Sequence, residues 1–168
     1  MGTTRRPLRC QAIQQTNEHD PAVWPYLAGL LDADGCIGVN AGTDPRNGRR
    51  RYTTRVFVSN ADKGLMNWLV AEFGGNINIS NQNAPSNHRT MYRWVLHGTR
   101  AGPILFQVLP YLRIKAQQAE LVLRFIHTLN PAIKGKGGRT KKLSEDTLKL
   151  REHLVTQLKR MNKRGRSR

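Results

Sequence analysis

Leu27-Ala28-Gly29-Leu30-Leu31-Asp32-Ala33-Asp34-Gly35 is the stretch on which the reading of this chain turns. It is the end of an apolar helix that carries small residues, Ala28, Gly29 and Ala33, and runs directly into two acids and a glycine turn. Small side chains let a second backbone come close. A carboxylate at a helix C-terminus is unfavourably placed, because the negative end of the helix dipole costs it about 0.3 kcal/mol or more. Asp34 therefore calls for a cation or a partner. In a chain of formal net charge +17, that combination points to a metal held against a polyanion.

The chain's 168 residues suit one domain with a single core. Its 28 Lys and Arg against 11 Asp and Glu make nucleic acid the leading partner class. On charge alone, a ribosomal or RNA-coating protein is as good a reading as an enzyme. Cys10 and Cys36 form no CxxC pair, which argues against a disulfide framework or a cysteine zinc site. No apolar run is long enough for a membrane span. The first 17 residues hold three Arg and no acid, and read as a basic arm without apolar periodicity. The expected organisation is an arm over 1–19, one domain over 20–162 and a basic tail over 163–168.

Asp20-Pro21 predicts a helix N-cap followed by proline at the first helical position, with the helix running to about Ala33. From Cys36 the period changes to two, with Ile37, Val39 and Ala41 on one face. Asn47-Gly48 marks a chain reversal. A second strand follows from about Arg49 to Ser59, with Arg51, Thr53, Arg55 and Phe57 sharing one face. Asp62 to Phe73 is helical by its apolar spacing and closes at Gly74-Gly75. A second hairpin spans Asn76–Ser80 and Met91–His97. Helices follow near Arg100–Leu109 and Ala116–Leu129, and a last one from Ser144 carries Leu148, Val155, Leu158 and Met161 as its stripe. Between them, residues 134–142 hold five basic residues and three glycines, a cationic loop.

Four strands with helices on one face predict an α+β layer, with C-terminal helices added. The opposite sheet face would carry Asn40, Arg51, Thr53, Arg55, Asn76, Asn78 and Ser80, polar and basic but poor in acid. Such a face can lie in a DNA major groove, and a merely solvated face is the alternative.

The nine-residue string resembles the signature of the LAGLIDADG homing endonucleases and related maturases. The likeness extends over about Tyr26 to Leu129: the αββαββα order is similar to the family fold, a saddle-like four-stranded antiparallel sheet. Leu109-Pro110-Tyr111-Leu112-Arg113-Ile114-Lys115-Ala116-Gln117-Gln118-Ala119 resembles the basic stretch of its single-motif, intron-encoded group. That resemblance implies a homodimer joined through the motif helices, with Leu27, Ala28, Gly29, Leu31 and Asp32 at the contact, and a near-palindromic double-stranded DNA site. It implies Asp34 and the Ala33 carbonyl as metal ligands, with Mg²⁺ as the metal, Mn²⁺ substituting and Ca²⁺ binding without cleavage. Asp32 is expected to bond near the helix end.

Lys115 matches the family's basic residue near the scissile phosphate, with an ordinary phosphate contact as the alternative. Asn60 falls where the family often has a water-positioning Gln, one methylene shorter, and Lys63 is a further basic candidate. Beside the sheet face already named, Arg49, Arg93, Lys136, Arg139 and Lys141 are the expected DNA contacts. The implied activity is site-specific, double-strand DNA cleavage. Alternatives on the same scaffold are a maturase-like RNA-binding splicing cofactor and a non-catalytic DNA-binding regulator. An intracellular location is expected, in cytoplasm or nucleoid or in an organelle matrix.

Overall fold

In a computed structural model the described residues are 20–80, 89–129 and 144–163. The chain runs α1 (Val23–Asp34), β1 (Gly35–Thr43), β2 (Arg50–Asn60), α2 (Lys63–Phe73), β3 (Asn76–Ile79), β4 (Tyr92–His97), α3 (Ala101–Val108), α4 (Ala116–His127) and α5 (Glu145–Lys163). Short 3₁₀ turns at Gly98–Arg100 and Leu109–Tyr111 lead into and out of α3. The sheet is antiparallel in the order β1-β2-β4-β3, and both hairpins and the α+β layering agree with the sequence reading.

Strand alternation divides the sheet into two unlike faces. Ile37, Val56, Val58, Trp94 and Leu96 are buried together with Leu27 and Leu31 of α1, Met66 and Leu69 of α2, Leu105 of α3 and Phe125 of α4. Burying each such side chain contributes about 1.5–3 kcal/mol. Cross-strand register puts Gly38, Arg55 and His97 in one row of the other face, and Cys36, Phe57, Val95 and Asn76 in the next. Not one Asp or Glu occurs in the four strands.

Two starts and stops differ from the sequence reading. The N-cap of α1 is Ala22, not Asp20. Asp20 instead accepts a hydrogen bond from the Ala22 N–H at 3.0 Å, closing an Asx turn one step ahead of the helix. Gly35 is no left-handed cap. Its backbone is extended, φ −94° and ψ 171°, and it is already the first residue of β1, opposite Val58. What makes glycine necessary is space, since a Cβ there would stand 2.6 Å from Leu31 Cα and 2.7 Å from Leu31 O.

α5 is longer and better anchored than its basic composition implied. It continues to Lys163, so the expected tail begins inside the helix. Its buried side is Arg151, Leu154, Val155 and Leu158, while Leu148 and Met161 are only half-buried. Arg151 donates from Nε to Thr128 Oγ1 at 3.0 Å and from its other arm to the Thr128 carbonyl, tying α5 to the end of α4. Burial lowers the Arg151 pKa, against an opposing pull from Tyr52. Asn162 Nδ2 donates to Ile37 O at 3.3 Å. In this way α5 covers the edge strand β1, whose unpaired groups would otherwise be open to another strand.

Gly35→Ala should cost about 1–3 kcal/mol of folding stability, because the new methyl meets backbone that cannot swing away. Gly42→Ala, where a Cβ meets nothing within 4 Å, should stay within about 0.5 kcal/mol of the parent. Urea denaturation of the two variants checks the contrast.

Candidate metal and nucleic-acid site

α1 delivers Asp34 as its last residue because Gly35 lets the helix become a strand without a loop. Asp34 and Ala33 are both exposed. No group of three or more His, Cys, Asp or Glu that could hold a metal occurs among the described residues. One chain therefore offers hard oxygen donors, a carboxylate and a neighbouring backbone carbonyl. These suit Mg²⁺ or Ca²⁺ in kind but make only part of a coordination shell.

The two acids of the motif are in different situations. The Asp32 carboxylate accepts from the backbone N–H groups of Arg113 at 2.7 Å, Ile114 at 3.2 Å and Lys115 at 2.9 Å. It thus serves the open N-terminal end of α4, where amides have no helical partner. In return Lys115 Nζ donates to Leu31 O and Asp32 O, each at 2.6 Å, and so meets the negative end of α1. Two of its three donors are thereby occupied, leaving one N–H for another acceptor. Burial lowers the Lys115 pKa, while Asp32, Cys36 and Asp34 pull it upward.

A concavity of about 620 Å³ opens beside this cluster. Lys115, Cys36, Asn40, Arg55 and Phe57 line it together with Lys159, Asn162 and Lys163 from α5. The α5 residues were missed from sequence. Their spacing of three and four does place them on one helical face, but nothing local says that this face meets β1. On the sheet Arg51, Asn76, Asn78 and Ser80 are exposed, and Thr53, Arg55 and Arg93 half-buried. Ser80 Oγ donates to Met91 O at 3.1 Å. Arg49 lies in the β1–β2 turn, where its N–H meets Asn47 Oδ1 at 3.0 Å. Lys136, Arg139 and Lys141 lie outside the described residues.

Asn60 ends β2 on the Val58 side of the sheet, and its Oδ1 accepts from Asp62 N–H at 3.0 Å. Its amide N–H₂ and the second lone pair of Oδ1 remain to position a water. Lys63 is exposed at the first turn of α2, and no described contact joins it to Asp34.

The expected contact residues on α1 need correction. Leu27 and Leu31 are 0% exposed and Ala28 1%, all within this chain's own core. The face left open runs through Tyr26, Gly29 and Ala33, with Leu30 half-buried beside it. These positions recur at three and four residues, one stripe of a helix. Nothing lies within 4 Å of a Cβ built on Gly29.

Asp32→Ala should destabilise the fold by about 2 kcal/mol, since three N–H groups lose a charged acceptor. Asp34→Asn should leave stability within about 0.5 kcal/mol of the parent. Thermal unfolding of both variants separates the structural acid from the open one.

No protein-family model matches the chain. Among curated proteins, the DNA endonuclease I-CvuI of Chlorella vulgaris is 28% identical over 117 residues, 70% of this chain and 71% of that protein. The crystal structure of I-CvuI with a DNA target superposes with a TM-score of 0.69 at 22% identity, covering 85% of this chain and 83% of that one. The archaeal intron-encoded homing endonuclease I-Vdi141I, complexed with DNA, superposes at 0.64 with 15% identity over 83% of this chain and 84% of that one. The LAGLIDADG homing endonuclease I-LtrWI, bound to target DNA, gives 0.62 at 13% identity, with 92% of this chain matching only 47% of the longer one. The motif ending at Asp34, the αββαββα order and the likeness to I-CvuI together make this chain similar, in sequence and in fold, to LAGLIDADG homing endonucleases.

Proposed function

We propose that the protein is a site-specific endonuclease that cuts both strands of a long, near-palindromic DNA duplex as a homodimer, using a divalent metal. One observation carries this reading. Each chain presents a single exposed carboxylate, Asp34, at the end of an open helix face and beside a sheet without acids. A second copy, meeting the first across the Tyr26, Gly29 and Ala33 stripe, would bring a second Asp34 to the axis and complete the oxygen set. The match of 92% of this chain to 47% of I-LtrWI supports a working unit of two such folds. A two-fold protein of this kind meets a two-fold DNA site.

Asp34 and the Ala33 carbonyl would hold the cation, with Mg²⁺ the natural choice for oxygen donors that leave room for several waters. When bound, such a metal supplies a Lewis acid for the phosphoryl oxygen and a water of lowered pKa. The rest belongs to this chain's own groups. Lys115, held by two α1 carbonyls, keeps one N–H to meet charge that develops on the phosphate. Arg51, Arg55 and Arg93 face the major groove, and Lys159 and Lys163 flank it as phosphate contacts. I-CvuI has been crystallised with DNA in the presence of Mg and of Ca, which supports a divalent ion here, with Mn²⁺ expected to replace Mg²⁺. An intact, exposed Asp34 argues against a purely regulatory DNA-binding protein.

Asp34→Asn should keep fold, dimer and most DNA affinity yet lower cleavage by roughly a thousandfold or more, because the carboxylate acts in the transition state. Ca²⁺ should support binding without cutting. Cleavage and gel-shift assays on a site selected from a random duplex library measure both, and near-parent cutting by Asp34→Asn would refute the metal assignment. Gly29→Leu should give a folded monomer in sedimentation at micromolar concentration, since a branched side chain on the open stripe holds two helices apart. A Gly29→Leu protein that still dimerises and cuts places the contact elsewhere.

A further inference from the structure

At the centre of the open sheet face stands a residue with no polar chemistry of its own. Phe57 is half-buried, paired with Cys36 on β1 and with Val95 on β4. Two guanidinium groups approach its ring. Arg55 lies 4.7 Å and Arg93 4.5 Å from the ring centroid. They reach it from different rows of the sheet, since Arg55 is opposite Gly38 and His97 while Arg93 is opposite Ser59 and Asn78. Arg93 is fixed further by donating from Nε to Ser59 Oγ at 3.1 Å.

Two like charges drawn to one ring repel each other, and no carboxylate on the strands offsets them. The negative face of the aromatic ring is the group that attracts both. A guanidinium held over a ring loses rotamer freedom, yet keeps N–H donors available. That is the state needed for two parallel hydrogen bonds to one acceptor edge. In the major groove guanine presents such an edge, O6 and N7, which a planar fork meets with two parallel bonds and a flexible ammonium meets without a preset direction. A phosphate can also take both N–H groups of a fork, but such a contact carries no base preference, which is the property the selection below reads.

We propose that Phe57 is a positioning residue for base recognition: it holds Arg55 and Arg93 as a pair of preset forks that read two guanines in each half-site. The proposal rests on the reading of this face as the DNA interface. Because both forks lean on one ring, the two guanines fall within about three base steps of each other, at about 3.4 Å per step. Removing the ring therefore loosens both positions together, whereas removing either arginine loosens one.

The test is selection of randomised duplex DNA in Ca²⁺, followed by sequencing, with the parent protein, Phe57→Leu, Phe57→Tyr, Arg55→Ala, Arg93→Ala and Arg55→Lys. Leucine keeps an apolar side chain but has no ring, and tyrosine keeps the ring. Expected results are two close guanines per half-site for the parent and for Phe57→Tyr. Phe57→Leu should lose preference at both by roughly tenfold, with affinity for a non-site duplex unchanged within about twofold. Each arginine-to-alanine variant should lose one position, and Arg55→Lys the same one as Arg55→Ala. An unaltered base preference for Phe57→Leu, or a uniform loss of affinity for every sequence, would overturn the positioning role and leave ordinary packing or phosphate contact. Failure of the parent to enrich any site would overturn the endonuclease reading itself, and the proposal with it.

Discussion

Gly35 stands where no side chain fits, and the arrangement of the site follows from that. A Cβ at this position would lie 2.6 Å from Leu31 Cα, so the strand can start against the last turn of the helix only with a glycine. The absence of a loop has two consequences. Asp34 is fixed by both the helix and the sheet, not carried on a mobile connection. The end of α1 also lies level with Val58 and Trp94, which share a cross-strand row with Gly35. On the proposed mechanism this carboxylate meets a metal and a phosphate, and a rigid seat of this kind suits that role.

The electrostatics of the site are arranged around the same helix end. The negative pole of α1 is met by Lys115, and the positive pole of α4 by Asp32, so each helix terminus is served by a charged residue from the other. Asp34 is left outside this exchange. It is the one acid of the motif whose charge is not already used by the fold, although it sits at an unfavourable helix end in a chain of net charge +17. The cationic surroundings lessen that cost. The strands carry no acid, and Glu152, the carboxylate that reaches β2 from α5, is paired with Arg50.

How much was legible in the sequence depends on range. The period-two alternation of Ile37 and Val39, and of Val56 and Val58, fixed which sheet face is buried, since any slip would put every one of them in water. Asn47-Gly48 and Gly74-Gly75 marked their turns by local backbone needs, and Gly48, Gly74 and Gly75 do take positive φ. The direction in which α1 faces was not legible. Its string is apolar or small all round, so spacing alone did not tell Leu27 and Leu31, which serve this chain's core, from Tyr26, Gly29 and Ala33, which do not. The other omissions are contacts across long separations. Asn162 reaches Ile37 and Arg151 reaches Thr128, 125 and 23 positions away, and neither partner carries a local mark of the other. Phe57 was seen on the correct face, but its place between two guanidiniums needs the β2–β4 register, which no turn between those strands reveals.

The central claim is that the cutting centre needs Asp34 from two chains. The direct measurement is total strand cleavage, nicks included, by protein refolded from equal amounts of parent and Asp34→Asn chains, at fixed total concentration and saturating DNA. If each active unit requires two intact carboxylates, activity falls to about one quarter of the parent, as random pairing in a two-fold dimer dictates. If activity falls only to about one half, each chain cuts alone, and a metal site shared across the axis is contradicted.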